Sequence, residues 1–184
     1  MSINIYDEKY HQKFLERANT EVGKKIYDTR WKLVEKYCHG QLTLLDYGCA
    51  SGAFHKSSPN GFVTFGYDIN PHCGWSVLPD GKIDILTMWD SLEHVHDPVG
   101  LLLKLNPNWI FLSTPNLESV RGDIRQWRHY RPAEHLYYFD LYSLTEILEH
   151  CGYEVLEHNF DEGKLRDPGN PQAIISMVAR KKWK

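Results

Sequence analysis

Two histidines in the second half of the chain have the surroundings of acid–base groups. His94 ends the run Asp90-Ser-Leu-Glu-His, which follows a short apolar segment, and His135 follows Glu134 in a later polar stretch. An imidazole with an ordinary pKa near ~6.5 can remove a proton from an alcohol or an ammonium group. We therefore predict His94 as the general base and His135 as the second candidate. The alternative is a structural role, in which the ring of His94 fixes the start of a helix by hydrogen bonding.

A turn of small residues follows an earlier apolar segment, in the sequence Leu-Leu-Asp46-Tyr-Gly48-Cys-Ala-Ser-Gly52. Glycine lets the backbone approach a ligand closely because it has no Cβ. The G-x-x-x-G spacing differs from the G-x-G-x-x-G that binds a pyrophosphate, so a nicotinamide dinucleotide is disfavoured. The next apolar segment ends at Asp68, 22 residues after Asp46. A carboxylate at such a strand end can accept hydrogen bonds from both hydroxyls of a ribose. The spacing therefore favours a role of Asp68 in nucleoside binding over the alternative that it is only a solvent-exposed side chain.

The elements that must position these residues alternate between strands and helices. Continuous apolar runs, typical of strands buried on both faces, occur at Leu42–Asp46, Phe62–Tyr67, Ile83–Trp89 and Trp109–Ser113. Helix signals include Thr20 before a periodic segment that stops at Gly40, Asp97 before Pro98, and a capping box of Ser143 and Glu146. Tyr153–Leu156 and Ala173–Ala179 could close the chain as an antiparallel hairpin. The pattern predicts a doubly wound, mostly parallel α/β sheet.

Length and composition indicate one soluble domain. The 184 residues carry a net charge of −3 and 42% hydrophobic residues, which gives no general attraction to nucleic acid. We expect a single domain over 1–184, with a helical cap at 1–40, a core at 41–184 and a substrate lid at 116–140. No apolar run is long enough to span a membrane, and the first residues show no secretion signal. Scattered cysteines fit a reducing compartment, so a cytoplasmic location is expected.

Several motifs in correct order resemble those of a known family. LLDYGCASG, FGYDINP and IDILTMWDSLEHVHDP look like the first, second and fourth strand motifs of class I S-adenosylmethionine-dependent methyltransferases. WIFLSTPN and PAEHLYYFDLYSLTEILEHCGYEV are similar to the small-molecule and sugar methyltransferases that include ubiquinone-pathway O-methyltransferases. The resemblance covers residues 41–157. It implies a Rossmann-like sheet and transfer of a methyl group from S-adenosyl-L-methionine, which leaves S-adenosyl-L-homocysteine, to a hydroxyl or amine of a small-molecule or glycan-type acceptor.

The same resemblance implies a set of cofactor-binding residues. Asp46 orients the methionine end of the cofactor, Asp68 binds the ribose hydroxyls, and Ile69 lies beside the adenine. The remaining members are the turn residues along the cofactor and the two residues that border the methyl-transfer chamber: Gly48, Cys49, Ala50, Ser51, Gly52, Asp90 and Ser91.

The chain departs from the family pattern after the second strand. Only 16 residues separate Asp68 from Asp84, where the family has a helix and a third strand, and WSVLPDGK is predicted to replace them with a loop or a vestigial strand. The usual adenine-binding acid after the third strand cannot be assigned. Ala50 also stands where the family has a glycine. The shortened region motivates one alternative function, a non-catalytic cofactor-binding protein.

Substrate binding is assigned to the segment rich in arginine and aromatic residues. Arg121, Arg125 and Arg128 recur at helical spacing, so on a helix they would line one side. Such a face can bind a phosphate, a sugar acid or a nucleotide. The commoner role of a run of arginines is a charged surface that faces solvent and binds no ligand. Because the segment occupies the position of the family's substrate lid, we predict that three of its residues contact the acceptor: Trp127, Arg128 and Tyr130.

A divalent metal is an alternative reading of the acid–histidine cluster. Asp90, Glu93, His94 and His135 resemble the metal site of RNA 3′-end 2′-O-methyltransferases, and a metal there would lower the pKa of a bound hydroxyl. Asp90 is one carbon shorter than the glutamate of that pattern, so a metal-free reaction is favoured. RNA 2′-O-methylation therefore stays an alternative, and nucleic acid is not the expected partner. The sequence does not determine the oligomeric state.

Overall fold

The computed structural model describes residues 7–182, so the expectation about a secretion signal falls partly outside the described residues. Its helices are α1 (Glu8–Ala18), α2 (Glu21–Tyr37), α3 (Ala53–Lys56), α4 (Pro98–Leu105), α5 (Leu141–His150) and α6 (Asp161–Arg166). Its strands are β1 (Leu42–Tyr47), β2 (Phe62–Tyr67), β3 (Ile85–Trp89), β4 (Trp109–Pro115), β5 (Tyr153–Asn159) and β6 (Ile174–Lys181). Within the described range, no helix has the length and apolar character that crossing a bilayer requires.

The strands form one six-stranded sheet in the order β2-β1-β3-β4-β6-β5. The first four are parallel, β6 is antiparallel to β4, and β5 is antiparallel to β6. The predicted α/β architecture and the antiparallel pair at one edge are thereby confirmed. The register aligns Asp46 with Gly66 on one side and Thr87 on the other. The carboxyl ends of β1, β2 and β3 are therefore level with one another, and the side chains after them meet at one edge.

Apolar side chains cover both faces of the central strands. On β1, Leu45 belongs to the core under α4 and α5, whereas Leu44 belongs to the core under α2 with Trp31 and Val34. Because consecutive strand residues point to opposite faces, an uninterrupted apolar run fits a strand that is covered on both sides. This explains why the apolar runs located the strands in the sequence.

The third strand that the family has at this place, and the helix before it, are absent from the described chain. Between β2 and β3 lie a 3₁₀ turn at Pro71–Cys73 and a loop, and within residues 7–182 no strand pairs with the outer edge of β2. Val63 and Phe65, on one face of β2, stay 52% and 40% exposed. The prediction of a shortened region is confirmed, and its consequence is an open sheet edge.

The capping box predicted from Ser143 and Glu146 is wrong, because α5 begins earlier. Asp140 is the N-cap: its carboxylate accepts a hydrogen bond from the Ser143 backbone N–H at 2.7 Å. The Ser143 hydroxyl in turn accepts from the Asp140 N–H at 3.0 Å. The box therefore uses aspartate and serine three residues upstream of the predicted pair.

The lid segment contains no α-helix, so the helical face that would align its arginines does not form. Residues 116–140 contain only short 3₁₀ turns at Leu117–Ser119 and Ile124–Gln126. The Asp123 carboxylate accepts from the Arg125 backbone N–H at 2.9 Å and also pairs with its guanidinium. Side-chain bonds of this local kind compete with helix formation. Helix α6, by contrast, was not expected, and it fills the connection between β5 and β6.

Candidate active site

A cavity of about 790 Å³ opens at the carboxyl ends of β1, β2 and β3. Its walls come from the turns after these strands, from α1, α2 and α4, and from the lid. Doubly wound sheets bind their ligands at this edge, and the volume lies within the usual range of small-molecule sites. The cavity therefore lies where the predicted site residues converge.

The turn after β1 has the backbone geometry that its small residues predict. Gly48, Ala50 and Gly52 have φ angles of 79°, 48° and 71°, in the left-handed region. A Cβ on Gly48 would clash with the Ser91 hydroxyl, so this glycine is required by packing within the protein. Residues 48–51, including Cys49, Ala50 and Ser51, line the cavity, whereas Gly52 packs against His55 instead.

Both aspartates predicted for the cofactor lie at this edge and line the cavity. The buried Asp46 accepts a hydrogen bond from the Thr87 hydroxyl at 2.8 Å. Asp68 accepts from the backbone N–H groups of Ala50 and Asn70, at 2.7 and 2.8 Å. Each oxygen of Asp68 can accept one further hydrogen bond. The neighbouring Ile69 lines the same cavity and is 71% exposed.

His94 and His135 both line the cavity, and their rings face each other with centroids 4.8 Å apart and nearly perpendicular planes. Nδ1 of His94 lies 2.9 Å from the carbonyl oxygen of Glu134. A carbonyl can only accept, so Nδ1 carries the proton and Nε2 of a neutral ring is unprotonated. His135 is buried, and this burial, together with His94, lowers its pKa to about 4. The structure therefore brings the two predicted catalytic histidines together.

Glu93 joins the histidine pair and is only 1% exposed. Its Oε2 makes no hydrogen bond within the described residues. Burial and the nearby Asp90 raise its pKa to about 8. One donor atom from each of Glu93, His94 and His135 lies within 4.8 Å of the others, a spacing that a metal ion could bridge. The fourth residue of the predicted metal set, Asp90, is engaged elsewhere.

Asp90 belongs to an ionic network that the sequence interpretation missed. Nη1 of Arg166 lies 2.9 and 2.7 Å from its two carboxylate oxygens. Arg30 binds Glu162 through two bonds of 2.8 Å and lies 3.6 Å from Asp90. Although burial opposes ionisation, the two arginines hold the pKa of Asp90 below its ordinary value. The network joins α2 and α6 to the turn after β3, where Ser91 also lines the cavity.

The three predicted substrate residues have different positions. Arg128 lines the cavity, together with the adjacent and unpredicted His129, whereas Trp127 and Tyr130 do not. The Trp127 ring contacts that of His129 at a centroid distance of 5.2 Å, and Tyr130 stacks on Tyr138 at 5.6 Å. Trp127 and Tyr130 therefore pack against other residues of the lid.

A profile of the methyltransferase-domain family matches residues 7–158. The chain belongs to this family. It is an S-adenosylmethionine-dependent methyltransferase of the class I fold. No curated protein matches the methyltransferase.

Solved structures similar to this methyltransferase act on different acceptors. Magnesium protoporphyrin IX methyltransferase from Synechocystis PCC 6803, with bound SAH, has 14% identity and a TM-score of 0.68, with 96% of each chain covered. The 1,6-didemethyltoxoflavin-N1-methyltransferase of Burkholderia thailandensis has 14% identity and a TM-score of 0.65, over 95% of this chain and 84% of that one. The small RNA methyltransferase HEN1 has 17% identity and a TM-score of 0.62, over 88% of this chain and 25% of that one. At these identities the similarity establishes the fold and leaves the acceptor open.

Proposed function

We propose that this methyltransferase methylates a hydroxyl or amine of a small-molecule or glycan-type acceptor, with His94 as the general base. The observation that carries the proposal is the hydrogen bond from His94 Nδ1 to the Glu134 carbonyl. It leaves Nε2 of a cavity-lining ring as the nitrogen that can take up a proton, and the acceptor must lose a proton when its oxygen or nitrogen is methylated. The resemblance to small-molecule and sugar methyltransferases supports the same acceptor class.

The residues around the cavity fit the cofactor. When bound, S-adenosylmethionine supplies an electrophilic methyl group on a positively charged sulfur. We assign the ribose hydroxyls to Asp68, the adenine contact to Ile69 and the methionine end to Asp46, with residues 48–51 and Ser91 along the remaining wall. The carboxylate of Asp68 has free acceptor capacity at the end of β2, as a ribose requires.

His135 has a supporting part in this proposal. Its buried, neutral ring packs edge-on against His94 and limits the orientation of the candidate base. The lid is fixed beside the turn after β3, because the Leu136 N–H donates to the Glu93 carbonyl at 2.8 Å. An acceptor bound between the lid and this turn would lie near the base, which lowers the entropic cost of reaction.

The proposal is tested by incubating the protein with radiolabelled S-adenosylmethionine and a panel of hydroxyl, amine and RNA acceptors. We expect label transfer to at least one small molecule and none to RNA with a free 3′ end. Labelling of RNA alone would refute the assigned acceptor class. Absence of calorimetric binding of S-adenosylhomocysteine would refute the cofactor assignment itself.

A metal-assisted RNA 2′-O-methyltransferase is the second candidate, favoured by the spacing of Glu93, His94 and His135. Their carboxylate and imidazole donors suit a divalent transition metal, and such an ion would lower the pKa of a bound hydroxyl. The net charge of −3 and the engagement of Asp90 by Arg166 oppose this function. Turnover that survives EDTA would exclude it. Turnover that EDTA abolishes and Mn²⁺ restores would favour it over the metal-free reaction.

A further inference from the structure

We propose that the acceptor carries an oxyanion group, a carboxylate or a phosphate, and that Arg128, His129 and Arg166 bind it. The inference rests on the proposed function and deepens it by naming the chemical class of the acceptor. The proposed oxyanion site lies in the part of the cavity wall formed by the lid and the end of α6.

Two guanidinium groups present spare donors to the cavity. Within the described residues, Arg166 makes its hydrogen bonds through Nη1 alone, to Asp90 and Glu162. Arg128 likewise uses only Nη1, which lies 3.2 Å from an oxygen of Asp167. The Nε and Nη2 groups of both side chains are therefore available. A planar fork of N–H donors matches the geometry of a carboxylate or phosphate.

Two of the three counterions of these arginines lie outside the cavity lining, and the third, Asp90, belongs to it. Glu162 and Asp167 pair with Arg166 and Arg128 but do not line the cavity. The basic side chains that line the cavity are Arg17, Arg30, Lys104, Arg128, Arg131 and Arg166, and the acidic ones are Asp46, Asp68, Asp90, Glu93, Asp97 and Glu134. Arg128 and Arg166 keep unused guanidinium donors, so an anionic group is favoured beside these two side chains.

His129 supplies the buried polar group of the site. It is 8% exposed and lines the cavity, yet its Nε2 makes no hydrogen bond in the part of the chain that the structure describes. Burial and the nearby Arg166 lower its pKa to about 4, so the ring is neutral at pH 7 and can donate from one nitrogen. Unpartnered buried polar atoms are uncommon in native proteins, and a bound oxyanion would supply the partner once the ring turns this buried nitrogen towards the cavity.

The three side chains are held at one place by contacts between the lid and α6. Arg128 and His129 are consecutive in the lid, and the pair between Arg128 and Asp167 ties them to the residue after Arg166. Asp90 fixes Arg166 in turn, and it belongs to the same turn as His94. An oxyanion on this wall therefore shares the cavity with the candidate base.

The test measures anion binding by calorimetry on the protein saturated with S-adenosylhomocysteine. The probes are benzoate, phenyl phosphate and the uncharged analogue benzamide, and the comparison of benzoate with phenyl phosphate separates the two oxyanions. We expect benzoate or phenyl phosphate to bind at least about tenfold more tightly than benzamide. Arg128→Gln should weaken that binding about tenfold and leave the affinity for S-adenosylhomocysteine unchanged. The matched control is Arg125→Gln, an exposed arginine of the same lid that does not line the cavity, and it should change neither affinity.

Equal binding of benzamide and the two anions would overturn the proposal, as would equal effects of the two arginine variants. Loss of affinity for S-adenosylhomocysteine in Arg128→Gln would also overturn it, because the arginine would then serve the carboxylate of the cofactor. Arg166→Lys, which keeps the charge but loses the fork, should show the same selective weakening. Failure of the unmodified protein to bind S-adenosylhomocysteine would refute the proposed function, and titration of the free protein with the same probes would still decide the oxyanion site.

Discussion

Asp68 is the side chain on which the assigned orientation of the cofactor depends. Its carboxylate holds the turn after β1 through Ala50 and can accept two further bonds from a ribose. We expect Asp68→Asn to weaken binding of S-adenosylhomocysteine by at least about tenfold, since a hydrogen bond to a charged group contributes about 1.5–3 kcal/mol. Calorimetry measures the affinity. Asp80→Asn, in the exposed loop after β2, is the control, and an equal effect of the two variants would contradict the assignment.

His94 is expected to act in turnover and not in cofactor binding. Replacing it with glutamine keeps a donor for the Glu134 carbonyl but removes the basic nitrogen. The kcat of His94→Gln should fall by roughly 10²–10⁴-fold, the usual contribution of a general base. The affinity for S-adenosylhomocysteine should not change. The exposed His39 provides the control variant His39→Gln. A variant with normal kcat and a lowered melting temperature would instead assign His94 a structural role.

His129 should make stability dependent on pH in the acid range. Its pKa is about 4 in the folded protein and near ~6.5 in an unfolded chain. As the pH falls from 6.5 towards 4, the unfolded state binds a proton that the folded state resists, so the folded state loses stability. The loss is at most about 1.4 kcal/mol per pH unit. Urea denaturation of the wild type and His129→Gln at pH 7, 6 and 5 measures it. The wild type should lose more stability than the variant, and identical pH profiles would contradict the shift.

Residues that follow a strand could be identified from the sequence, and residues paired over long separations could not. Asp46, Asp68 and His94 each come directly after an apolar run or within a few residues of one. Because parallel strands place their carboxyl ends at one edge of the sheet, the sequence predicted that these residues meet there. Arg30 and Glu162 are 132 residues apart, and Arg166 is 76 residues from Asp90. No local pattern encodes such a pairing, because it arises only when α2 and α6 pack together.

Among the elements, prediction succeeded where burial decides the structure and failed where local side-chain bonds decide it. The apolar runs marked β1 to β4 because tertiary packing acts on them in the same direction as the local sequence. In the lid, the bonds of Asp123 to Arg125 override a spacing of arginines that would suit a helix. Helix α6 has only six residues, too few for a periodic apolar pattern, although its acidic start and basic end fit the helix dipole.

The contact between α2 and α6 should depend on the buried pair of Arg30 and Glu162. Removing Arg30 leaves the buried Glu162 with only the longer 3.4 Å contact to Arg166, so Arg30→Met should lower the free energy of unfolding by at most about 3–5 kcal/mol. The double variant Arg30→Met with Glu162→Leu should be more stable than Arg30→Met alone, because no unpaired charge is left from this pair. Urea denaturation measures both. Lys164→Gln, at an exposed position of α6, should have little effect, and a similar small effect for Arg30→Met would show that the pair is dispensable.

At the scale of the whole molecule, cofactor binding should stabilise the fold as a unit. The cavity walls come from segments between α1 and α6 and from three strand turns, so a ligand there binds only the folded protein. S-adenosylhomocysteine at 100 times its Kd should add about 2.7 kcal/mol, which raises the melting temperature of a protein of this size by roughly 5–10 °C. Differential scanning calorimetry measures the shift. NAD at the same concentration should produce none, and the reverse result would contradict the nucleoside assignment.

β2 is an edge strand, and no strand among residues 7–182 pairs with its outer side, which affects how the protein must be handled. Its outward backbone N–H and C=O groups, next to the half-exposed Val63 and Phe65, form a template on which a strand of another molecule can add. Self-association should therefore begin at this edge of the sheet and limit the concentration at which the protein stays in solution. Storage in dilute, cold solution, and a charged residue in place of one of the two apolar side chains, are the practical remedies.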